Sequence, residues 1–413
     1  MVLKLQRPPK TSRTSSNPPS TDKKERRKQA KPGGAKPGHE GRSRSLHENP
    51  DEVVDHRPEA CSQCHGHLDG GLPGEVVGEY DEIEIPPITP FVRRHRRLCV
   101  RCPHCSCPVT APLPDAAIGS PFGPRLHGLV LYLKIFQAIS FARLERMLVD
   151  LFGVKLSQGA LANMLKRSHV PFSARKEDII EELRRADRVA SDETGIRIEG
   201  LNGYHWVFMS DRAIVHEAQL SRAAKVVRDV MGDHRPKLWL SDGYSAQRGH
   251  GQYHQTCLAH LARDIAYAVE ASDDMVPLRL KLWLDKVFAL ARTLPSFAAS
   301  TVKSKKRELE NGLADILASK PTSGPICEIA ETVRGKLARA SPRLLTFLDF
   351  PGEIDVTNNA CERALRPAVI QRKVTNGFRS MWAAEGDCAV RTVVDTAKLS
   401  GQNPFHTILA AIA

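Results

Sequence analysis

Between Arg188 and Gly243 the apolar pattern changes period, and that change limits the folds open to this chain more than any other feature. RVASDETGIRI (188–198) alternates and carries β-branched residues, as a half-buried strand does. GLNG (200–203) reads as a turn, YHWVFMSD (204–211) as a second strand and AIVHEAQL (213–220) as a third. SRAAKVVRDVMGD (221–233) follows with helical spacing and Ser221 as its cap. KLWLSDG (237–243) is a short apolar strand ended by Gly243. From there the spacing turns helical, with segments around 256–270, 277–293, 300–318 and 325–340.

Strand, strand, strand, helix, strand, with acids at two strand positions, is the order of a ribonuclease-H-like α/β core. Residues 185–413 are read as that core, carrying a large helical insertion at about 255–345. Asp192 lies in the first strand, within SDETG, and Asp242 ends the KLWL strand, within SDGYS. Glu362 falls in the first turns of a helix that Asn358 or Asn359 can cap. Three carboxylates on two strands and one helix suit paired Mg²⁺ ions at a phosphodiester, since Mg²⁺ takes oxygen ligands and keeps several waters. Glu193 and Asp264 are rivals by adjacency, in a chain where 47 residues are Asp or Glu. Arg363, Arg366, Arg372 and Lys373 form a basic run beside Glu362. They are candidate phosphate contacts, or else the solvated face of a surface helix.

Upstream, apolar residues recur at helical spacing from Leu126 to Leu151, Gly153 breaks the pattern, and Ser157 can cap a new helix, QGALANMLKRS. Helix, turn, helix outlines a DNA reader over residues 116–175, although two packed helices occur in any α domain. Residues 51–115 hold Cys61-Ser-Gln-Cys64 and Cys102-Pro-His-Cys105. Two C-x-x-C turns can supply the four thiolates of a structural Zn²⁺ site. Cys99 and Cys107 leave the second pair open, because Cys99-Val-Arg-Cys102 has the same spacing; loop thiols without metal are the plain alternative. Cys257, Cys327, Cys361 and Cys388 are scattered and read as structural. Cys257 and His260, with His250 and His254 nearby, read as a helix start before they read as a metal cluster. Residues 1–50 combine Lys, Arg, Pro, Gly and Ser with few large apolar side chains, so disorder is expected there: a basic arm for DNA phosphates, or a solvated tail. A net charge of +13 favours a polyanionic partner. No apolar run is long enough to span a bilayer and no secretory signal opens the chain, so a cytoplasmic, reducing compartment is expected.

Taken in order, these motifs resemble the insertion sequence 66 family of DDE transposases. CSQC and CPHC are similar to that family's zinc-binding segment. DETGIRI…GYHWVF, SDGYSA…QTCLAHLARD and NNACERALRP…RKVTNGFRS, with the tail TAKLSGQNPFHTIL, are similar to its three acidic motifs and closing helix. The resemblance runs from about Cys61 to the C-terminus. It implies a bacterial, nucleoid-associated transposase that cuts and joins double-stranded DNA at insertion-sequence ends. It further implies Asp192, Asp242 and Glu362 as catalytic triad holding Mg²⁺ (or Mn²⁺). Structural Zn²⁺ would sit at Cys61, Cys64, Cys102 and Cys105, with Cys102 and Cys105 favoured over Cys99 and Cys107. A homo-oligomer on DNA and accessory transposition proteins are the expected partners. Family members often begin with a leucine-zipper-like helix, whereas this chain starts with a Pro/Gly/Lys/Arg tail without heptads. The alternative is a catalytically inactive, zinc-containing DNA-binding regulator derived from a transposase, which would be marked by loss of one acid; all three are present. A serine or tyrosine recombinase needs a nucleophile among arginines, and Tyr244 and Ser245 lie in a basic-poor stretch.

Overall fold

A computed structural model describes residues 8–11, 14, 39–41, 44–112, 121–319 and 327–412, with the backbone alone at Cys327. Most of the basic arm lies outside the described residues. The chain divides into two compact units, one of residues 24–89 and one of residues 1–23 with 90–413. The smaller unit holds the Cys61–Cys64 turn and is otherwise without regular elements among its described residues.

In the larger unit, β1 (Cys99–Arg101) and β2 (Pro108–Thr110) form a small antiparallel hairpin around Cys102–Cys105. Helices follow: α1 (Pro124–Leu131), a π-helical turn at 132–136, α2 (Phe141–Phe152) and α3 (Gln158–Leu183). Gly153 ends α2 in the left-handed region, at φ 65°. The Ser157 hydroxyl caps α3 by accepting from the Ala160 N–H at 3.2 Å, as the sequence predicts. α3 then runs unbroken for 26 residues, with Pro171 inside it.

The sheet is built from β3 (Arg188–Ile198), β4 (Leu201–Met209), β5 (Ile214–Gln219), β6 (Leu238–Ser241) and β7 (Tyr253–Thr256), in spatial order β5-β4-β3-β6-β7. β3, β4 and β5 are antiparallel neighbours, while β6 runs parallel to β3 and β7 parallel to β6. The β3–β4 turn is Glu199–Gly200, both at positive φ (54° and 79°), so the sequence reading of GLNG placed it slightly late. β7 is a strand that helical spacing did not foresee. α4 (Ala224–Met231) starts after Ala223; Ser221 instead accepts from the Ala223 N–H at 3.1 Å.

Alternation along the strands assigns the two faces of the sheet. Val189, Trp206, Phe208, Val215 and Trp239 pack against Ile180 and Leu183 of α3 and the valines of α4. On the other face Val207 and Ile214 meet Cys361 and Leu365 of α9 (Asn359–Thr375). Leu238 and Leu240 of β6 share a core with α5 (Leu258–Ala271), α6 (Met275–Thr293), α7 (Ala299–Ala318) and α8 (Cys327–Ala340). The helical segment between β7 and α9 is therefore joined to β6 by continuous apolar packing. α10 (Met381–Leu399) packs on the π-helical turn, on Phe172 of α3 and on α11 (Pro404–Ile412). At the end of α9, Gly377 (φ 112°) passes so close to β3 that any Cβ would collide with the Arg197 carbonyl. That close approach lets the Phe378 N–H bond the Arg197 carbonyl at 2.8 Å. No helix among the described residues is long and apolar enough to cross a membrane.

Candidate active site

β3 and β6 run parallel as sheet neighbours, so their C-terminal ends lie on the same edge. Asp192 pairs across β4 with Val207 and therefore points to the face that α9 covers; only 8% of it is exposed. Asp242 follows the last residue of β6, and its Oδ1 accepts from the Tyr244 N–H at 2.8 Å, which fixes the turn after the strand. Glu362 occupies the first turn of α9. Asn358, fully buried just before that helix, donates from Nδ2 to the Ser191 carbonyl at 2.8 Å. Its own N–H bonds the Cys257 sulfur at 3.1 Å. One side chain thus ties the start of α9 to the strand residue preceding Asp192.

Asp192 feels the other acids. Its carboxyl is held well above the usual carboxylate range, first by burial and then by the charges of Glu193, Asp242 and Glu362. Glu362 is met by two basic side chains: Arg263 Nη2 lies 2.9 Å and His260 Nε2 3.6 Å from its Oε1. His260 and Arg263 stand one turn apart on α5, at the start of the helical segment. Burial, then Arg263, lowers the His260 pKa against the pull of Glu362, which favours a neutral ring. Among the described residues no group of three or more His, Cys, Asp and Glu is gathered closely enough to hold a metal ion.

The rivals separate by geometry. Glu193 pairs with Trp206, so it projects to the opposite face from Asp192. There Arg222 (2.6 Å from Nη2) and Gln247 (2.7 Å) grip its carboxylate, whose side chain is 1% exposed. Arg222 in turn stacks 3.9 Å from the Tyr244 ring centroid, so Glu193 braces the turn that follows Asp242. Burial, then Asp242, raises the Glu193 pKa. Asp264 faces away into a 2.7 Å ion pair with Lys336 of α8. In the basic run Arg363, Arg366 and Lys373 are exposed, while Arg372 donates to the Gly195 carbonyl and so is part of the β3–α9 junction. The sequence reading missed Arg222, Gln247 and Arg263, and offered Asn358 only as a cap.

The cysteine turns share one geometry. Cys61 N–H bonds Gly66 O and His65 N–H bonds Cys61 O; Cys102 N–H bonds Cys107 O and Ser106 N–H bonds Cys102 O. His65 and Ser106 both take positive φ, 57° and 58°. Backbone N–H groups inside each turn lower the pKa of the leading thiol, Cys64 and Gln63 acting on Cys61, His104 and Cys105 on Cys102. Cys99 lies instead in β1, opposite Thr110. Cys257, Cys361 and Cys388 are buried. His250 bonds the Ala246 carbonyl and His254 the Ser241 hydroxyl.

Two curated relatives, both from Sinorhizobium fredii (strain NBRC 101917 / NGR234), align over most of the chain. Uncharacterized protein y4jD is 22% identical over 86% of this chain and 74% of its own length. Uncharacterized protein y4qI is 24% identical over 86% of this chain and 70% of its own. The model of the family described as Transposase IS66 family matches residues 119–386, which takes in α1 through the first turns of α10, all five strands of the sheet and every carboxylate of the candidate site. On that match the chain belongs to the IS66 family of transposases.

Proposed function

We propose that the protein is a metal-dependent DNA transposase that hydrolyses a phosphodiester at insertion-sequence ends and then joins the freed 3′-hydroxyl to target DNA. Family membership supports a transposase-related role with DNA as the partner. The observation that carries the catalytic reading is position: Asp192 turns to the face that α9 covers, Asp242 directly follows the parallel neighbour β6, and Glu362 opens α9, which Asn358 ties to the residue before Asp192. The strand order, three antiparallel strands followed by two parallel ones, supports a ribonuclease-H-like core.

The donor chemistry suits a hard divalent cation, being all carboxylate; among the described residues the three are not gathered closely enough to hold one as they stand, and Arg263 is paired with Glu362. Asp192, Asp242 and Glu362 would hold Mg²⁺ or Mn²⁺, which when bound supplies Lewis acidity at the phosphate and a water of lowered pKa. The chain's own contribution is placement. Asn358 fixes α9 against β3, Glu193 braces the Asp242 turn through Gln247 and Arg222, and His260 and Arg263 hold Glu362 in line. Arg363, Arg366 and Lys373 stand exposed on α9 for backbone phosphates. Cys61 with Cys64, and Cys102 with Cys105, are the proposed thiolate pairs for structural Zn²⁺. A homo-oligomer on DNA belongs to the same proposal.

Asp192→Asn tests it, with the full chain, Mg²⁺ and DNA carrying the element's ends. Binding should persist and nicking should vanish. Undiminished cleavage by the variant would remove Asp192 from the chemistry and with it the triad.

A further inference from the structure

We infer that the exposed face of the first turns of α3 reads base edges in the major groove of duplex DNA and so sets which end sequence the protein engages. The inference rests on the transposase reading and adds the contacts that would give it sequence preference. α2 and α3 meet across a turn at 153–157, opened by left-handed Gly153 and closed by the Ser157 cap. Val130, Leu144, Leu148, Leu156, Leu161 and Met164 form a core of their own, so α1, α2 and the start of α3 hold together as a packed unit. A helix entering a groove must be presented rigidly in this way.

The opposite face of α3 joins no hydrophobic core among the described residues. Gly159, Asn163, Lys166, Arg167 and Val170 recur at helical spacing and all are exposed. Neither Asn163 nor Arg167 has a hydrogen-bond or ion-pair partner among the described residues. The Lys166 ammonium sits 6.0 Å from the Trp382 ring centroid, at the flank. The first acidic residue along α3 is Glu177. The two acids of α2 are already engaged, Asp150 by Arg146 at 2.7 Å and Glu145 by Gln158 at 3.1 Å. The residue types match base chemistry: an amide for adenine N6 and N7, a guanidinium fork for guanine O6 and N7. Val170, 76% exposed amid polar neighbours, is the apolar partner a thymine methyl requires. At Gly159 a side chain would meet only Ser157 Oγ, at 3.9 Å, which leaves room for close approach at the leading turn. From residue 159 to residue 170 the helix rises about 16 Å, or roughly five base steps.

α3 also joins this face to the candidate active site. Beyond Pro171 the same helix buries Phe172 against α10, pairs Lys176 with Glu217 of β5, and packs Ile180 and Leu183 against the sheet. Sequence reading and sheet are two ends of one element.

The test uses the full chain and a pool of randomised duplexes, from which bound sequences are selected and identified. Wild type, Asn163→Ala and Arg167→Lys are then titrated against the selected duplex and a scrambled one at fixed salt. Arg167→Lys keeps the charge and loses the fork. Each variant should lose about 5- to 150-fold in affinity for the selected duplex. Affinity for the scrambled duplex and the melting temperature should stay unchanged. No preferred sequence, wild-type affinity of both variants for the selected duplex, or equal losses on both duplexes would overturn the inference. Mg²⁺-dependent nicking by wild type, measured alongside, separates the two claims. Nicking with indifferent α3 variants removes the groove contact alone; selective α3 losses without nicking remove the catalytic reading alone.

Discussion

His254 gives a quantitative handle on the strand pair beneath Asp242 that needs no DNA. Its ring lies in β7 with Nε2 3.0 Å from the Ser241 hydroxyl, and its Nδ1 is buried without a partner among the described residues, so a second proton there would find no acceptor among them. Burial, then the charges of Arg343, Arg248 and His250, lower its pKa to about 3. An unfolded chain takes up that proton near pH 6.5. The folded pKa lies below the unfolded one, so this histidine leaves stability intact above about pH 6.5 and drains it as pH falls toward about 3. The slope approaches 1.36 kcal/mol per pH unit, so at pH 4.5 the loss is about 2.7 kcal/mol. His254→Gln retains a polar partner for Ser241 and does not titrate. Urea unfolding of both proteins at pH 7.5 and pH 4.5 isolates the term, because every other titrating group is common to the two. The variant should lose about 2.7 kcal/mol less than wild type over that interval. Equal losses would show that His254 is protonated in the folded state and that the β6–β7 pairing below Asp242 is not a dry, unprotonated contact.

Other substitutions test the scaffold of the candidate site. Asn358→Ala leaves the buried Ser191 carbonyl without its 2.8 Å donor; it should cost about 1–3 kcal/mol in chemical denaturation and depress Mg²⁺-dependent nicking beyond the loss of folded protein. Arg222→Ala strands the buried Glu193 carboxylate, and since Arg222 is itself about two-fifths exposed the cost should fall near 1–3 kcal/mol, below that of a fully buried pair. Adding Glu193→Gln to it should recover most of that loss in a double-mutant cycle, and additive losses would deny the contact. Mg²⁺ should raise the melting temperature of wild type and leave Asp192→Asn unmoved. Zinc content by mass spectrometry should drop on Cys61→Ser or Cys102→Ser and stay constant on Cys99→Ser.

The elements legible in the sequence are those whose side-chain period carries the signal. β3 to β6 alternate or run apolar, and they stand where that pattern places them. β7 does not, because YHQT is short and polar; it is a strand only through parallel pairing with β6, Leu238 opposite Tyr253 and Ser241 opposite Thr256. Ser221 looked like a cap, but a serine can bond its own local backbone, and here it serves the Ala223 N–H ahead of the helix. Adjacency made Glu193 a rival to Asp192, and alternation separates them, since neighbours on a strand face opposite ways. Arg263 was beyond reach: nothing in LAHLARD announces that an arginine there closes on a glutamate 99 positions later.

That last contact changes what the helical segment between β7 and α9 means for the site. A helical insertion could be an appendage, tolerated because it begins and ends at the sheet. Here its first helix carries His260 and Arg263, which meet Glu362 at 3.6 and 2.9 Å, and its core is continuous with Leu238 and Leu240, the strand residues leading to Asp242. The segment therefore grips two of the three carboxylates, one by charge and one by packing. Three buried polar atoms without partners among the described residues lie on these same elements: Ser191 Oγ, next to Asp192 on β3 but turned to its other face, Asn358 Oδ1 at the start of α9, and Gln247 Oε1 behind the Asp242 turn. Each such atom costs stability that an apolar core would not forfeit. Their company with mutually repelling acids is what a fold tolerates where position matters more than packing. Removing the helical segment would then do more than trim the fold: Glu362 would lose Arg263 and His260, and β6 one wall of its core.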